Sequence, residues 1–181
     1  MRRDSRAIAL LAVLTALPTA LGYVLGPLTH SLNAVLSLIP FNPFRFYLGF
    51  MLLLISTVLA RAYVGRGGAV IEGFLLAITG VFLHPTKPIP IILLKDILLG
   101  LGVEVSLISS RGLRLIPILS SSLLGGLGHA LPFLIFSYPF LTSLWFIPNM
   151  LLSALIGGYL AYLILKRLPD EYSSKTLNRG T

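Results

Sequence analysis

Six apolar runs, each close to the ~20 residues that cross a bilayer as a helix, divide this chain. They fall at Ala7–Leu25, Phe46–Val64, Gly68–Leu83, Ile89–Ser109, Leu115–Phe136 and Leu141–Leu165, and the third is short at its edges. The segments between them are rich in Gly, Pro, Asn and Ser, which break regular structure. A transmembrane β-barrel would instead alternate apolar and polar residues over segments of about ten. The chain is 56% hydrophobic and only 11% charged, against about 25% charged in soluble domains. The spacing therefore predicts an all-α membrane protein: a compact bundle of six transmembrane helices in one domain over residues 1–168, then a polar cytoplasmic tail at 169–181. The linker His30–Pro43 is half apolar and too short to span twice, so it reads as a re-entrant or interfacial piece.

The cations orient the bundle. With the N-terminus in the cytoplasm, the inside segments carry Arg2, Arg3 and Arg6, then Arg61 and Arg66, then Arg111 and Arg114, then Lys166, Arg167, Lys175 and Arg179. The outside segments carry only Arg45 and Lys87. Positive charge is retained on the cytoplasmic side of membrane proteins. The pattern thus predicts a multi-pass protein of the cell (plasma) membrane with both termini inside. It also accounts for the net charge of +8 with the lipid bilayer as the partner and no nucleic acid. The opening MRRDSR and the apolar run after it resemble a secretory leader, but the run outlasts a usual leader core. The expectation is a first span without cleavage.

Motifs for chemistry are missing. There is no cysteine, and the chain contains no G-x-x-x-x-G-K-[ST], H-E-x-x-H or G-x-S-x-G. His30, His84 and His129 lack ligand spacing, so neither a metal nor a cofactor is expected. Ser122 and His129 share a similar helical face, which leaves an intramembrane hydrolase or transferase, using His129 with Ser122 or Asp96, as an alternative function. A channel or membrane scaffold is another.

The fourth run contains ILLKDILLGLGVEVSLISS, from Ile92 to Ser110, with Lys95, Asp96 and Glu104 inside it. Ionisable groups at membrane depth usually face the bundle interior or a wet cavity. Asp96, His129 and Asn149 each lie about seven or eight residues from the outer end of runs four, five and six, roughly 10–12 Å deep at 1.5 Å per residue. Trp145, Asn149 and Ser153 follow i, i+4, i+8 and share a face with Thr142. These groups predict an outer-half cavity for a flat polar ring, with Trp145 as a wall. Each also has a structural reading: Asn149 as interhelical glue, His129 bonded to a backbone carbonyl, Trp145 as an interfacial anchor. Lys95 either snorkels, lines the cavity or pairs with Asp96; adjacent helical residues point about 100° apart, so poor pairing is expected. Glu72 and Glu104, near the cytoplasmic ends of their runs, read as structural residues, paired with Arg61, Arg66 or Arg111 or carried neutral.

Ala12, Ala16 and Ala20 repeat every four residues along the first run, a smooth stripe on which another helix can approach closely. Pro18 lies within it. The combination of six runs, inside termini and this stripe resembles the substrate-binding (S) components of energy-coupling factor (ECF) vitamin transporters. ARAYVGRGGAVIE, HPTKP and GLGVE are more specifically similar to the S components for thiamine or its hydroxymethylpyrimidine precursor. The resemblance rests on Ala62, Tyr63, Arg66, Gly68, Glu72, Pro85, Pro88, Gly100, Leu101, Gly102 and Glu104 and covers about a third of the chain; Lys95–Asp96 is not part of it. It implies a subunit that captures a small-molecule vitamin and hands it inward. Its partners would be a membrane coupling subunit, meeting the alanine stripe, and two cytoplasmic ABC-type ATPases. In that picture the pocket lies in the outer half under a lid at His30–Arg45.

Overall fold

The computed structural model describes residues 2–36, 48–83, 88–108, 113–136 and 146–167. They form six α-helices: α1 Arg2–Leu36, α2 Leu48–Val64, α3 Gly68–Leu83, α4 Ile89–Ile108, α5 Leu115–Ile135 and α6 Phe146–Arg167. The bounds of α2 to α5 follow the apolar runs. The start expected for the sixth run at Leu141, the residues Thr142 and Trp145, and the tail at 169–181 lie outside the described residues.

The first helix corrects the sequence expectation. It does not stop at Leu25 but continues to Leu36, so His30–Leu36 is helical rather than linker. Its 35 residues measure ~52 Å, against a hydrocarbon thickness of about 30 Å. Apolar runs mark where a helix is greasy, not where its backbone ends. Pro18 and Pro27 both lie inside α1. Around the second, local hydroxyls bond back to the helix: Thr29 donates to the Leu25 carbonyl and Ser31 to the Pro27 carbonyl.

α2 is the hub. It packs chiefly on α1, α3 and α6 and also touches α4 and α5, while α4 lies between α3 and α5. The large exposed apolar side chains belong to the other five helices, and α2 has none. The interior holds Glu72, Asp96, Glu104, His129, Asn149, Ser121, Ser122 and Ser153 beside Leu54, Val58, Leu99 and Ile118. An apolar exterior around a partly polar interior is suited to hydrocarbon, where water does not drive apolar groups inward. By length and composition α1, α5 and α6 are long and apolar enough to cross a membrane, and α2 and α3 are shorter apolar helices.

Glycines set the tightest crossings. A Cβ on Gly73 would lie 2.6 Å from the Asp96 carbonyl oxygen, and one on Gly100 would strike the Ala69 carbonyl. α3 and α4 therefore touch backbone to backbone. Among the described cations, Arg6, Arg61, Arg66, Arg114, Lys166 and Arg167 mark one end of the bundle, the basic end.

Candidate functional site

Asp96, Gly100 and Glu104 follow i, i+4, i+8 on α4, so the crossing through Gly73 and Gly100 turns both acids toward α3. Both are buried. Their settings divide the bundle into two polar centres.

The first centre lies toward the end opposite the cations. The Lys95 ammonium is 2.8 Å from Asp96 Oδ1 and 2.7 Å from Oδ2. This corrects the expectation of poor pairing: the four-methylene stem of lysine folds back across the angle between adjacent side chains, which a Cβ-direction argument ignores. His129 Nδ1 on α5 approaches Asp96 Oδ1 at 3.4 Å, a contact rather than an aligned hydrogen bond. The imidazole is held by Phe50 at 4.8 Å and Phe133 at 5.9 Å between ring centroids. Lys95, Asp96 and His129 are thus brought together, as the common depth predicted for the last two.

Beside this pair lies a half-open cavity of about 260 Å³. Lys95 and Asp96 of α4 form its polar wall. The rest comes from Pro18, Thr19, Gly22 and Tyr23 of α1, Gly49 and Leu53 of α2, and Leu76, Gly80 and Leu83 of α3. Gly80 faces the carboxylate: a Cβ there would stand 3.5 Å from Asp96 Oδ2. His129 and Asn149 are buried on α5 and α6 and are not among the lining residues. This cavity lies between α1, α2, α3 and α4, whereas the expected one, between α4, α5 and α6, would also involve Trp145, outside the described residues. Equal depth does not fix the direction in which a side chain points. Trp145 and the part of the expected lid beyond Leu36 are outside the described residues.

The α1 wall was missed. Thr15, Thr19 and Tyr23 follow i, i+4, i+8, a polar stripe that could have flagged it. Thr19 donates its hydroxyl proton to the Thr15 carbonyl at 2.8 Å. Ala12, Ala16 and Ala20 are all exposed, on a face turned away from the buried Leu11, Thr15 and Pro18.

The second centre lies at the basic end. Gly67 N–H donates to Glu104 Oε1 at 2.9 Å and Ala69 N–H to Oε2 at 3.3 Å. Arg61 Nε stands 2.9 Å from Oε1. The acid thereby satisfies first-turn donors of α3 that have no partner within their own helix and binds the last turn of α2. The turn between those helices is sharp, with Gly65 at φ 95° and Gly67 at φ 84°, a region glycine enters without steric penalty. Glu72 takes no arginine partner among the described residues. It accepts from Thr15 of α1 at 3.0 Å, a hydroxyl also 2.8 Å from the Leu11 carbonyl. Gly68, Gly100 and Glu104 thus serve this joint and its crossing and are not among the residues lining the cavity.

Ser122 donates to the Ile118 carbonyl of its own helix at 2.8 Å. Among the described residues no three His, Cys, Asp or Glu side chains converge to hold a metal ion. Comparison with protein-family models, with curated proteins and with solved structures yields no match.

Proposed function

We propose that this chain is the substrate-capture component of an ECF-type vitamin importer, taking thiamine or its hydroxymethylpyrimidine precursor for ATP-driven uptake by partner subunits. In this reading all six helices span the plasma membrane, both termini are cytoplasmic and the cavity opens outward. The observation that carries it is the half-open cavity walled by Lys95 and Asp96 toward the end of the bundle away from the cations. Where the positive-inside rule holds, that is the external half. Two further features support it. The exposed Ala12, Ala16 and Ala20 give α1 a stripe of small residues on which a coupling subunit's helix can approach closely. The absence of a P-loop leaves ATP hydrolysis to partners. The Ser122–His129 form of the hydrolase alternative has no support in the geometry, because the Ser122 hydroxyl donates to its own helix.

The test is native purification followed by mass spectrometry of the bound small molecule, with uptake measured alongside a coupling subunit and ATPases. A pyrimidine vitamin or precursor is the expected cargo. Purification of protein that binds neither thiamine nor hydroxymethylpyrimidine would refute the assignment.

A further inference from the structure

We infer that the cavity beside Asp96 selects an uncharged molecule whose polar edge sets a hydrogen-bond donor next to an acceptor, and that the Lys95–Asp96 pair turns away a fixed cation. The inference rests on the capture function proposed above and narrows its substrate.

The charge argument comes first. Among the described lining residues, Lys95 and Asp96 are the charged ones, and they are bonded to each other at 2.7 and 2.8 Å. The wall is therefore neutral as a unit. A cation drawn to the carboxylate must also approach the ammonium, so attraction and repulsion largely cancel. The cost of stripping water from an ion is then left uncompensated. An anion meets the mirror problem at Asp96. A neutral molecule meets neither.

The hydrogen-bond inventory gives the shape of the polar edge. A lysine ammonium has three donors, and two short contacts go to Asp96. One N–H remains for an acceptor. Each carboxylate oxygen has two lone pairs. Oδ1 faces both Lys95 and His129, whereas Oδ2 faces Lys95 and lies on the side of Gly80, which lines the cavity together with Asp96. A lone pair of Oδ2 thus remains for a donor beside the free N–H. An amide, lactam or amino-azine edge satisfies both without breaking the ion pair. Thr19 has committed its proton to the Thr15 carbonyl and offers lone pairs only. The volume of about 260 Å³ falls below the ~300–1,000 Å³ of drug-sized sites, which favours a small metabolite.

The experiment is calorimetry on the full chain in lipid nanodiscs with two probes sharing one aminopyrimidine ring: neutral hydroxymethylpyrimidine and cationic thiamine. The wild type should bind the neutral probe at least tenfold more tightly. Lys95→Met removes the positive charge at similar size and should shift the preference toward thiamine by at least tenfold, whereas exclusion by size alone would leave the preference where it was. Lys95→Met with Asp96→Asn restores a neutral wall and should restore the preference for the neutral probe at weaker affinity; it also stands in if the single variant does not fold. Equal affinities in the wild type, tighter thiamine binding, an unmoved preference in Lys95→Met or a double variant that prefers thiamine would each overturn the inference while leaving vitamin capture intact. A wild type that binds neither probe refutes the capture function itself, and the inference falls with it.

Discussion

Asp96 and Glu104 sit two helical turns apart on one face of α4, yet they are used differently. Glu104 is held by separate elements: two backbone N–H groups from the start of α3 and an ion pair with the Arg61 guanidinium from the end of α2. It ties three helices and borders no described cavity. Asp96 takes its cation from its own chain neighbour, touches His129 loosely and lines the cavity together with Gly80. A buried acid whose lone pairs are filled by separate elements holds a fold together. One filled mostly by the adjacent residue, with a side left open, is free to meet a ligand.

That contrast can be broken by experiment, and the largest expected effect is at Glu104. Glu104→Ala strands the Arg61 charge and leaves the Gly67 and Ala69 N–H groups without their acceptor. Losing one partner of a buried pair costs about 3–5 kcal/mol. Thermal unfolding in detergent should show a large loss of stability, with ligand affinity of the surviving folded fraction nearly unchanged. A stable variant that no longer binds ligand would reverse the assignment of roles.

Asp96→Asn should do the opposite. It keeps the shape but weakens the Lys95 pair and removes a charged acceptor from the cavity wall. An unmet buried polar group costs about 1–3 kcal/mol, so affinity for the pyrimidine probe should fall roughly ten- to a hundredfold at 1.4 kcal/mol per decade. The unfolding temperature should move less than in Glu104→Ala. Unchanged affinity would remove Asp96 from the site.

The smallest effect sharpens the comparison by volume alone. Gly80→Ala places a methyl group 3.5 Å from Asp96 Oδ2 and 2.9 Å from Ile92 Cγ2. Ile92 must yield, and the open side of the carboxylate narrows. Affinity should drop several-fold, with a stability change toward the low end of the ~1–3 kcal/mol typical of overpacking. Tighter binding would show that Asp96 meets no ligand on this side.

Several features were legible without coordinates. Apolar run length places α2 to α5 within a residue or two, because a helix that must bury or hide its backbone polar groups has to be continuous. The shared level of Asp96 and His129 follows from their matched depth in adjacent runs, whereas helix rotation brings the two side chains together. The interior position of Glu72, Asp96 and Glu104 follows from the cost of charge in hydrocarbon. The end of α1 was not legible, since proline and polar residues permit helix or linker equally. Pairing of Lys95 with Asp96 was not legible either, because rotamers of a long side chain answer to local packing rather than to sequence spacing.

By itself the amino-acid sequence determined the class of fold, the number and bounds of most helices, and which residues had to be sheltered. Those outcomes depend on chain-local quantities: hydropathy, length, breaker residues and the distribution of cations. The tertiary structure alone decided which sheltered residues share a space. Helix rotation and crossing are set by where glycines on two helices allow backbones to touch, as at Gly73 and Gly100. That choice turned Asp96 toward a cavity walled by α1 and placed Asn149 in the packed interior at the same depth.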